Sequence, residues 1–229
     1  MIYKKYLLMQ INDALFPIGG YSHSYGLETY IQKDIVHDME TAEKYIKNKL
    51  EMDFLYSELL PIKLAFIYSK ENNLDKLIEL EDIVETSRVP EEIRSASHKL
   101  GSRFIKTMST LDINFDSDIF KKYIEYQKGA FVNYNIVYGI FCAACNMDYE
   151  DVIEGFLYAQ TSAMVTNSVK SIPLSHTKGQ KLLVNCYEDF INIINNLKDI
   201  NEDMLCLSTP GFDIRCMQHE GLYSRIYMS

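Results

Sequence analysis

Apolar residues recur through most of the chain at the spacing of an amphipathic α-helix. The clearest stretch begins at Pro90, a residue suited to a helix start, and Glu91 and Glu92 follow where acidic groups complement the helix dipole. The apolar positions then continue at spacings of seven, four, four and three residues: Ile93, Leu100, Phe104, Met108 and Leu111. We therefore predict a helix in this region.

Three further stretches predict helices in the same way. One lies between Asp38 and Leu59, one covers Gln180 to Leu197, and one follows Asp148, a candidate N-cap with acidic residues directly after it. No stretch alternates as a β-strand does, and no Asn-Gly or Asp-Gly pair marks a hairpin. The pattern predicts an all-α fold, a single-domain bundle of about eight to ten helices over residues 1–229.

Two segments are rich in small, uncharged residues, which allow helix backbones to approach closely. They are residues 139–145 and 159–168, and we expect them to lie in the most buried helices. The charge-free stretch from Gly129 to Met147 is marginal in length for a membrane span and contains several polar residues, so it is interpreted as a core helix. If Gln160 and Asn167 are buried, each needs a hydrogen-bond partner.

Composition narrows the function classes. The net charge of −9 argues against nucleic-acid binding, which depends on Lys and Arg neutralising phosphates. The five cysteines are an odd number in a long chain, which favours a reducing cytosol over a disulfide framework. The first residues lack a long apolar run, so no signal peptide is predicted and a cytoplasmic location, away from the membrane, is expected.

The stretch FPIGGYSHSYGLETY, residues 16–30, is the first candidate for chemistry. Its two adjacent glycines are followed by no lysine, so it is not a P-loop, and it does not match G-x-G-x-x-G. Ser22, His23 and Ser24 are too close in sequence to face one another on a helix, and no orienting acid is evident. We interpret Pro17–Gly20 as a turn, Ser22 or Ser24 as the N-cap of the next helix, and Gly26 as a site of close backbone approach.

Cysteine and histidine spacing gives little support for a metal or cofactor site, and none is predicted. Cys142 and Cys145 have C-x-x-C spacing, but no second pair supplies further ligands. No H-x-H or H-x-x-x-H occurs. The alternative function class that remains is a metal-dependent hydrolase using His23, Cys142 and Cys145.

The C-terminus is unusually apolar for a chain end, because it reads GLYSRIYMS. On a continued helix, Arg215, His219 and Leu222 would share one face. Two interpretations are open: this end docks on the protein's own core, or it binds a partner, for which Tyr and Arg are common anchors.

Three long motifs resemble the urease accessory protein UreF family. DALFPIGGYSHSYGLETYIQ resembles its N-terminal signature, YAQTSAMVTNSVKSIPLSHTKGQKLL a second motif, and MQHEGLYSRIYMS its C-terminal ending; EEIRSASHKLGSRFIK also fits. They span nearly the whole chain in the right order. Three positions depart from the common pattern: Asn133 lies near a frequent histidine, Lys170 replaces arginine, and Ser175-His176 replaces Gly-Gln.

The resemblance implies an all-α homodimer with a non-enzymatic role in nickel insertion into urease. It implies that the chain bridges a UreD-like (UreH-like) protein and the nickel-carrying GTPase UreG, that the assembly engages apo-urease, and that GTP hydrolysis is regulated. Residues 210–229 would be a C-terminal partner-binding tail. The expected partner-binding residues are Tyr21, His23, Tyr25, Glu28, Lys170, Arg215, His219, Glu220, Leu222, Tyr223, Arg225, Ile226 and Tyr227.

His23 carries a second question. It either faces a nickel path or is a hydrogen-bonded histidine at a helix start, and one histidine alone makes a poor nickel site. The second interpretation is the expectation.

Overall fold

The computed structural model describes residues 2–207 and 209–228, without the side chains of Ile2 and Tyr21. Within these ranges the chain forms twelve α-helical segments and no β-strand. The predicted all-α fold is confirmed for the described residues. The segments are α1 Ile2–Ile11, α2 Leu27–Gln32, α3 Met39–Lys49, α4 Leu60–Lys70, α5 Leu74–Ser87, α6 Glu91–Met108, α7 Ile119–Tyr126, α8 Tyr134–Ala144, α9 Tyr149–Ser171, α10 His176–Asn185, α11 Tyr187–Asp199 and α12 Pro210–His219.

The helix predicted between Asp38 and Leu59 is the start of a longer rod. Asp38 caps α3, because its side chain accepts a hydrogen bond from the Thr41 amide. In return, the Asp38 amide donates a hydrogen bond to the Thr41 hydroxyl. The chain then continues without a break through a π-helix, Leu50–Leu59, into α4. A ten-residue π-helix is unusual, since such turns mostly occur singly.

Helix α8 is the centre of the core, because all eleven of its residues are buried. It packs closely on α4: a Cβ added to Gly139 would lie 2.8 Å from the carbonyl oxygen of Ile62. This confirms the burial expected for residues 139–145. The second small-residue segment is less buried than expected, since Thr166 is exposed and Gln160 is only half-buried. In the described part of the chain, no helix has the length and apolar character to cross a membrane.

The region Gln180–Leu197 is not one helix, because α10 ends at Asn185 and α11 begins at Tyr187. Tertiary packing explains the difference. Both helices pack on α9, but α10 also packs on α3, whereas α11 packs on the π-helix. The Asn185 amide donates to Glu43, and Lys47 lies 3.4 Å from Asp189, which fixes α3 against both sides of the break.

A buried carboxylate joins α5 to the start of α8. Glu81 is 3% exposed; it accepts hydrogen bonds from the Tyr123 hydroxyl and from the Asn133 backbone amide, the latter at 2.6 Å. The Asn133 side chain also donates to Glu81, at 2.9 Å. Burial raises the pKa of Glu81, and the hydrogen bonds from Tyr123 and Asn133 oppose that rise. Asn133, which departs from the family pattern, is therefore part of a structural network.

Substituting Glu81 with glutamine is expected to flatten the dependence of stability on pH. A carboxyl group whose pKa is higher in the folded state than in the unfolded state favours folding when it is protonated. This contribution is complete at pH values below the pKa of the unfolded state, and it is lost as the pH rises through the pKa of the folded state. Glutamine can still accept from the Asn133 amide. Urea unfolding at pH 5 and pH 8 should show a smaller loss of stability on raising pH for Glu81→Gln than for the parent chain.

The exposed Glu79 on the same helix provides the matched control. Glu79→Gln is expected to leave the difference between the two pH values unchanged. An identical pH dependence in the parent chain and Glu81→Gln would contradict the assignment.

Candidate partner-binding site at the C-terminal end

The first sequence motif forms a short 3₁₀ turn, Gly20–Ser22, before α2. Neither serine caps α2, so that prediction is wrong: the Ser22 hydroxyl donates to the carbonyl oxygen of Gly19, and the buried Ser24 hydroxyl has no hydrogen-bond partner within the described residues. Gly26 is the N-cap instead, with φ of 85°. That left-handed backbone conformation favours glycine. Because glycine has no side chain, the first amides of α2 receive no hydrogen bond from an N-cap side chain.

Gly26 also permits the close approach that the sequence predicted. A Cβ at this position would lie 2.9 Å from the Cys216 sulfur and 3.3 Å from the Cys216 amide nitrogen, both in α12. The Thr29 hydroxyl donates to the carbonyl oxygen of Arg215 at 2.8 Å. The first motif therefore forms the surface on which the C-terminal helix lies.

His219, the last residue of α12, lies at the centre of a charged cluster and has no exposed surface. Its Nδ1 is 2.6 Å from Glu92 Oε2 and its Nε2 is 3.0 Å from Glu28 Oε2. Arg225 Nη1 donates to the other oxygen of Glu92 at 2.7 Å. We call these four residues the His219 cluster; it joins α2, α6, α12 and the chain end.

Both ring nitrogens of His219 lie within hydrogen-bond distance of a carboxylate oxygen. An ionised carboxylate only accepts hydrogen bonds, whereas a neutral imidazole has a single N–H donor. Both ring nitrogens of His219 face carboxylate oxygens, so both bonds form when both nitrogens carry a proton. With a proton on each nitrogen, the charges of His219 and Arg225 balance those of Glu28 and Glu92, and this compensates the burial of His219 and Glu28.

The same cluster fastens the end of the chain. We call residues 220–228 the C-terminal segment. The backbone amides of Ile226 and Tyr227 donate to the two oxygens of Glu28, at 2.8 and 2.9 Å. The Met228 amide donates to the carbonyl oxygen of Ser22 at 2.8 Å. Glu28 thus receives hydrogen bonds from the chain end as well as from His219, and the segment docks on the protein's own body.

The outer side of the C-terminal segment is apolar and exposed. Tyr223 is fully exposed, Ile226 is 70% exposed and Met228 is 56% exposed, whereas Tyr227 turns inward and is buried. Because the segment's backbone is hydrogen-bonded to the body, these three side chains are held outward. They form what we call the apolar ridge.

The remaining predicted residues lie around this end of the molecule or at the end of α9. Arg215 lies over the Tyr30 ring and donates to Gln218, and Glu220 is exposed. Leu222 is half-buried beyond the end of α12, so it does not share a helical face with Arg215 and His219 as expected. Lys170 is exposed in the last turn of α9, where a cation complements the helix dipole. The side chain of Tyr21 lies outside the described residues.

His23 is a buried residue directly after the 3₁₀ turn, 4% exposed, and its carbonyl oxygen accepts a hydrogen bond from Asn167. Burial is the main reason that the pKa of His23 is lowered to about 4, and the nearby cations Lys99 and Arg103 contribute to the same shift. Its ring is therefore neutral at physiological pH. The Tyr25 ring lies 6.0 Å from it, and burial raises the pKa of Tyr25.

The two cysteines of the hydrolase alternative are core residues of α8. Cys142 and Cys145 are 0% and 2% exposed, and burial raises the pKa of both thiols, to about 12 for Cys145. Thiols in that state are poor nucleophiles and poor metal ligands. Across the residues described, no group of three or more His, Cys, Asp or Glu side chains is arranged to hold a metal ion.

Sequence reasoning missed the role of Glu92. It was interpreted as a first-turn acid of α6, whereas it pairs with His219 and Arg225 near the other end of the chain. Local pattern carries no signal for such a contact, because more than 120 residues separate the partners.

The fold and the His219 cluster define an all-α protein whose chain end is fastened to its own N-terminal motif. The sequence model of the UreF family matches residues 36–187. Proteins named urease accessory protein UreF are 33% identical in Haemophilus influenzae (strain PittGG), over 97% of this chain and 94% of the relative, and 32% identical in Actinobacillus pleuropneumoniae serotype 5b (strain L20), over 97% of each. A protein of the same name from Bacillus sp. (strain TB-90) is 32% identical, again over 97% of both chains. This chain belongs to the UreF family of urease accessory proteins.

Proposed function

We propose that this chain is a non-enzymatic scaffold for urease maturation. In this proposal a homodimer bridges a UreD-like or UreH-like protein and the nickel-carrying GTPase UreG, and the assembly delivers nickel to apo-urease. Family membership supports the urease connection. The observation that carries the scaffold role is the apolar ridge, an exposed hydrophobic surface held in place by a charged cluster.

The apolar ridge suits a binding role because its backbone is ordered before any partner arrives. Binding a disordered tail costs conformational entropy, and a fastened segment avoids most of that cost. Tyr223 supplies an aromatic side chain of the kind that dominates interface energetics. The ridge is therefore assigned to the UreD-like partner.

Contact with the GTPase is assigned to Lys170 and Arg215. Both are basic, Lys170 lies in the second family motif and Arg215 lies two residues before the C-terminal one, and neither forms a salt bridge within the part of the chain that is described. Arg225, by contrast, is occupied by Glu92. We assign Lys170 and Arg215 to plain partner contact that influences GTP hydrolysis indirectly, since ordinary ion pairs suffice for such a role.

The double substitution Tyr223→Ser and Ile226→Ser is expected to abolish co-purification with a UreD-like protein while leaving the helical circular dichroism spectrum unchanged. It removes the outward side chains but keeps the backbone amide of Ile226 that bonds Glu28. Deleting residues 221–229 would be a less specific test, because it also removes the two backbone hydrogen bonds that Glu28 accepts from this segment.

The control is Val184→Ser with Ile191→Ser, another exposed apolar pair, on α10 and α11, at 57% and 62% exposure. This pair should keep full binding. Co-purification of the Tyr223/Ile226 variant at the parental level would contradict the proposed role of the ridge. Nickel-dependent activation of apo-urease, measured with both variants, tests whether lost binding is also lost maturation.

A further inference from the structure

A second feature of the molecule lies apart from the C-terminal segment: an internal cavity of about 100 Å³. None of the four residues of the His219 cluster lines it. Its walls come from the π-helix Leu50–Leu59, from α9 and from α12, with His23 and Tyr25 of the first motif at one side. An apolar cavity of roughly 150 Å³ accommodates benzene, so this space suits a molecule of about four or five heavy atoms.

The cavity wall contains two buried ion pairs. Lys49 Nζ lies 2.6 Å from Asp53 Oδ2, and Arg88 Nη2 lies 2.8 Å from Glu58 Oε1. The Thr209 hydroxyl adds a hydrogen bond to Asp53 at 2.8 Å. Charged groups are rarely buried without a reason, because their desolvation is costly even when they are paired.

One donor in this wall has no acceptor. The side chain of Arg88 is 9% exposed, and its Nε has no hydrogen-bond partner within the described residues. A buried N–H without an acceptor is strongly unfavourable, so an oxygen atom inside the cavity would satisfy it. Asp213 of α12 also lines the cavity; its carboxylate makes no hydrogen bond to any described residue and can accept from a donor in the cavity.

The backbone around the cavity is also unusual. The π-helix contributes four wall residues, and π-helical turns occur frequently at functional sites. Two further wall residues, Tyr25 and Cys206, have positive φ angles of 51° and 55°, although neither is glycine. Strained conformations of this kind cluster where a ligand is held.

We propose that this cavity binds a small uncharged organic molecule that combines a carbonyl oxygen, an N–H donor and a short apolar group, as a primary amide does. The carbonyl oxygen accepts from Arg88 Nε, and the N–H donates to Asp213. The apolar group lies against Phe54, Phe156 and Met164. The carboxylates of Asp53, Glu58 and Asp213 would repel an anionic ligand. The cations of Lys49 and Arg88 would repel a cationic ligand.

Three probes of five heavy atoms separate the contributions: propionamide, butan-2-one, which lacks the donor, and propionate, which carries a charge. The full-length chain labelled at methionine methyl groups reports binding by NMR, because Met164 lines the cavity and the exposed Met52 does not. Propionamide is expected to shift the Met164 signal with a roughly millimolar dissociation constant, the range of a ligand this small. Butan-2-one and propionate should bind at least about tenfold more weakly, the effect of one lost hydrogen bond or one opposed charge.

Two substitutions test the location. Ala163→Leu fills the cavity and should abolish the Met164 shift, whereas Ala159→Leu, one turn earlier on α9 and not in the wall, should preserve it. Asp213→Asn should narrow the difference between propionate and propionamide. A Met164 signal that does not move at roughly 100 mM propionamide, far above the expected affinity, would overturn the proposal. Equal binding of all three probes would also overturn it.

Discussion

Replacing His219 with alanine is expected to lower the free energy of unfolding by about 3 kcal/mol, because it removes the partner shared by the buried carboxylate of Glu28 and the half-buried carboxylate of Glu92. Glu28 and Glu92 face His219 at 3.0 and 2.6 Å, and the imidazole has no exposed surface. For a chain of this length the melting temperature should fall by roughly 10 °C. Calorimetry or thermal unfolding followed by circular dichroism measures the effect.

The control for this substitution is His176→Ala. His176 is exposed at the start of α10, so its loss is expected to change stability by less than about 0.5 kcal/mol. If His219→Ala and His176→Ala have the same small effect, the ion pairs of the His219 cluster do not contribute to the folded state and the account of the C-terminal segment is wrong.

Gly101→Ala is expected to destabilise the protein by about 2–3 kcal/mol, although alanine is the better helix former by about 1 kcal/mol. The added Cβ would lie 2.4 Å from the carbonyl oxygen of Val132 and 3.2 Å from a methyl carbon of the same residue. A backbone carbonyl cannot rotate away as a long side chain can. Helix α6 must therefore shift from the segment that leads into α8, which disturbs the core.

Gly20→Ala serves as the comparison for Gly101→Ala, because a Cβ at Gly20 meets no atom within 4 Å. We expect its melting temperature to match the parent chain within about 2 °C. A melting temperature of Gly101→Ala at or above that of the parent chain would contradict the prediction. It would mean that a methyl group fits between α6 and the Val132 backbone without displacing either.

The helical periodicity predicted the fold class because it reports which side of each helix faces the core. Pro90 and Asp148 marked the starts of α6 and α9 correctly, since both act within one turn of chain. The break at Cys186 and the cap at Gly26 were missed. Both depend on packing against distant helices, to which local propensity is insensitive.

The sequence identified three of the four residues of the His219 cluster, but it did not predict how they are arranged. Glu28, His219 and Arg225 were named because they lie in the family motifs. The contact between Glu28 and His219 spans about 190 residues of sequence. Glu92, on a helix that was interpreted only through its dipole, joins His219 to Arg225. A single sequence contains no information on such long-range pairing, so the cluster emerged only from the structure.

The structure refines the expectation that residues 210–229 form a partner-binding tail. The backbone of the C-terminal segment has hydrogen-bond partners on the body at Glu28, Ser22 and Gln32. The proposed interface thus forms from a prearranged surface, and partner binding adds contacts to the apolar ridge. In this account the His219 cluster affects partner binding by controlling how often the ridge is in place.

Amide hydrogen exchange of Ile226 and Tyr227 in the partner-free chain is the most direct test of this claim. Both amides donate to Glu28, at 2.8 and 2.9 Å, so both should exchange at least about a hundredfold more slowly than an unstructured peptide. His219→Ala should remove most of that protection, and His176→Ala should leave it intact. Exchange at the unstructured rate in the parent chain would contradict the account, because the C-terminal segment would then be free until a partner binds it.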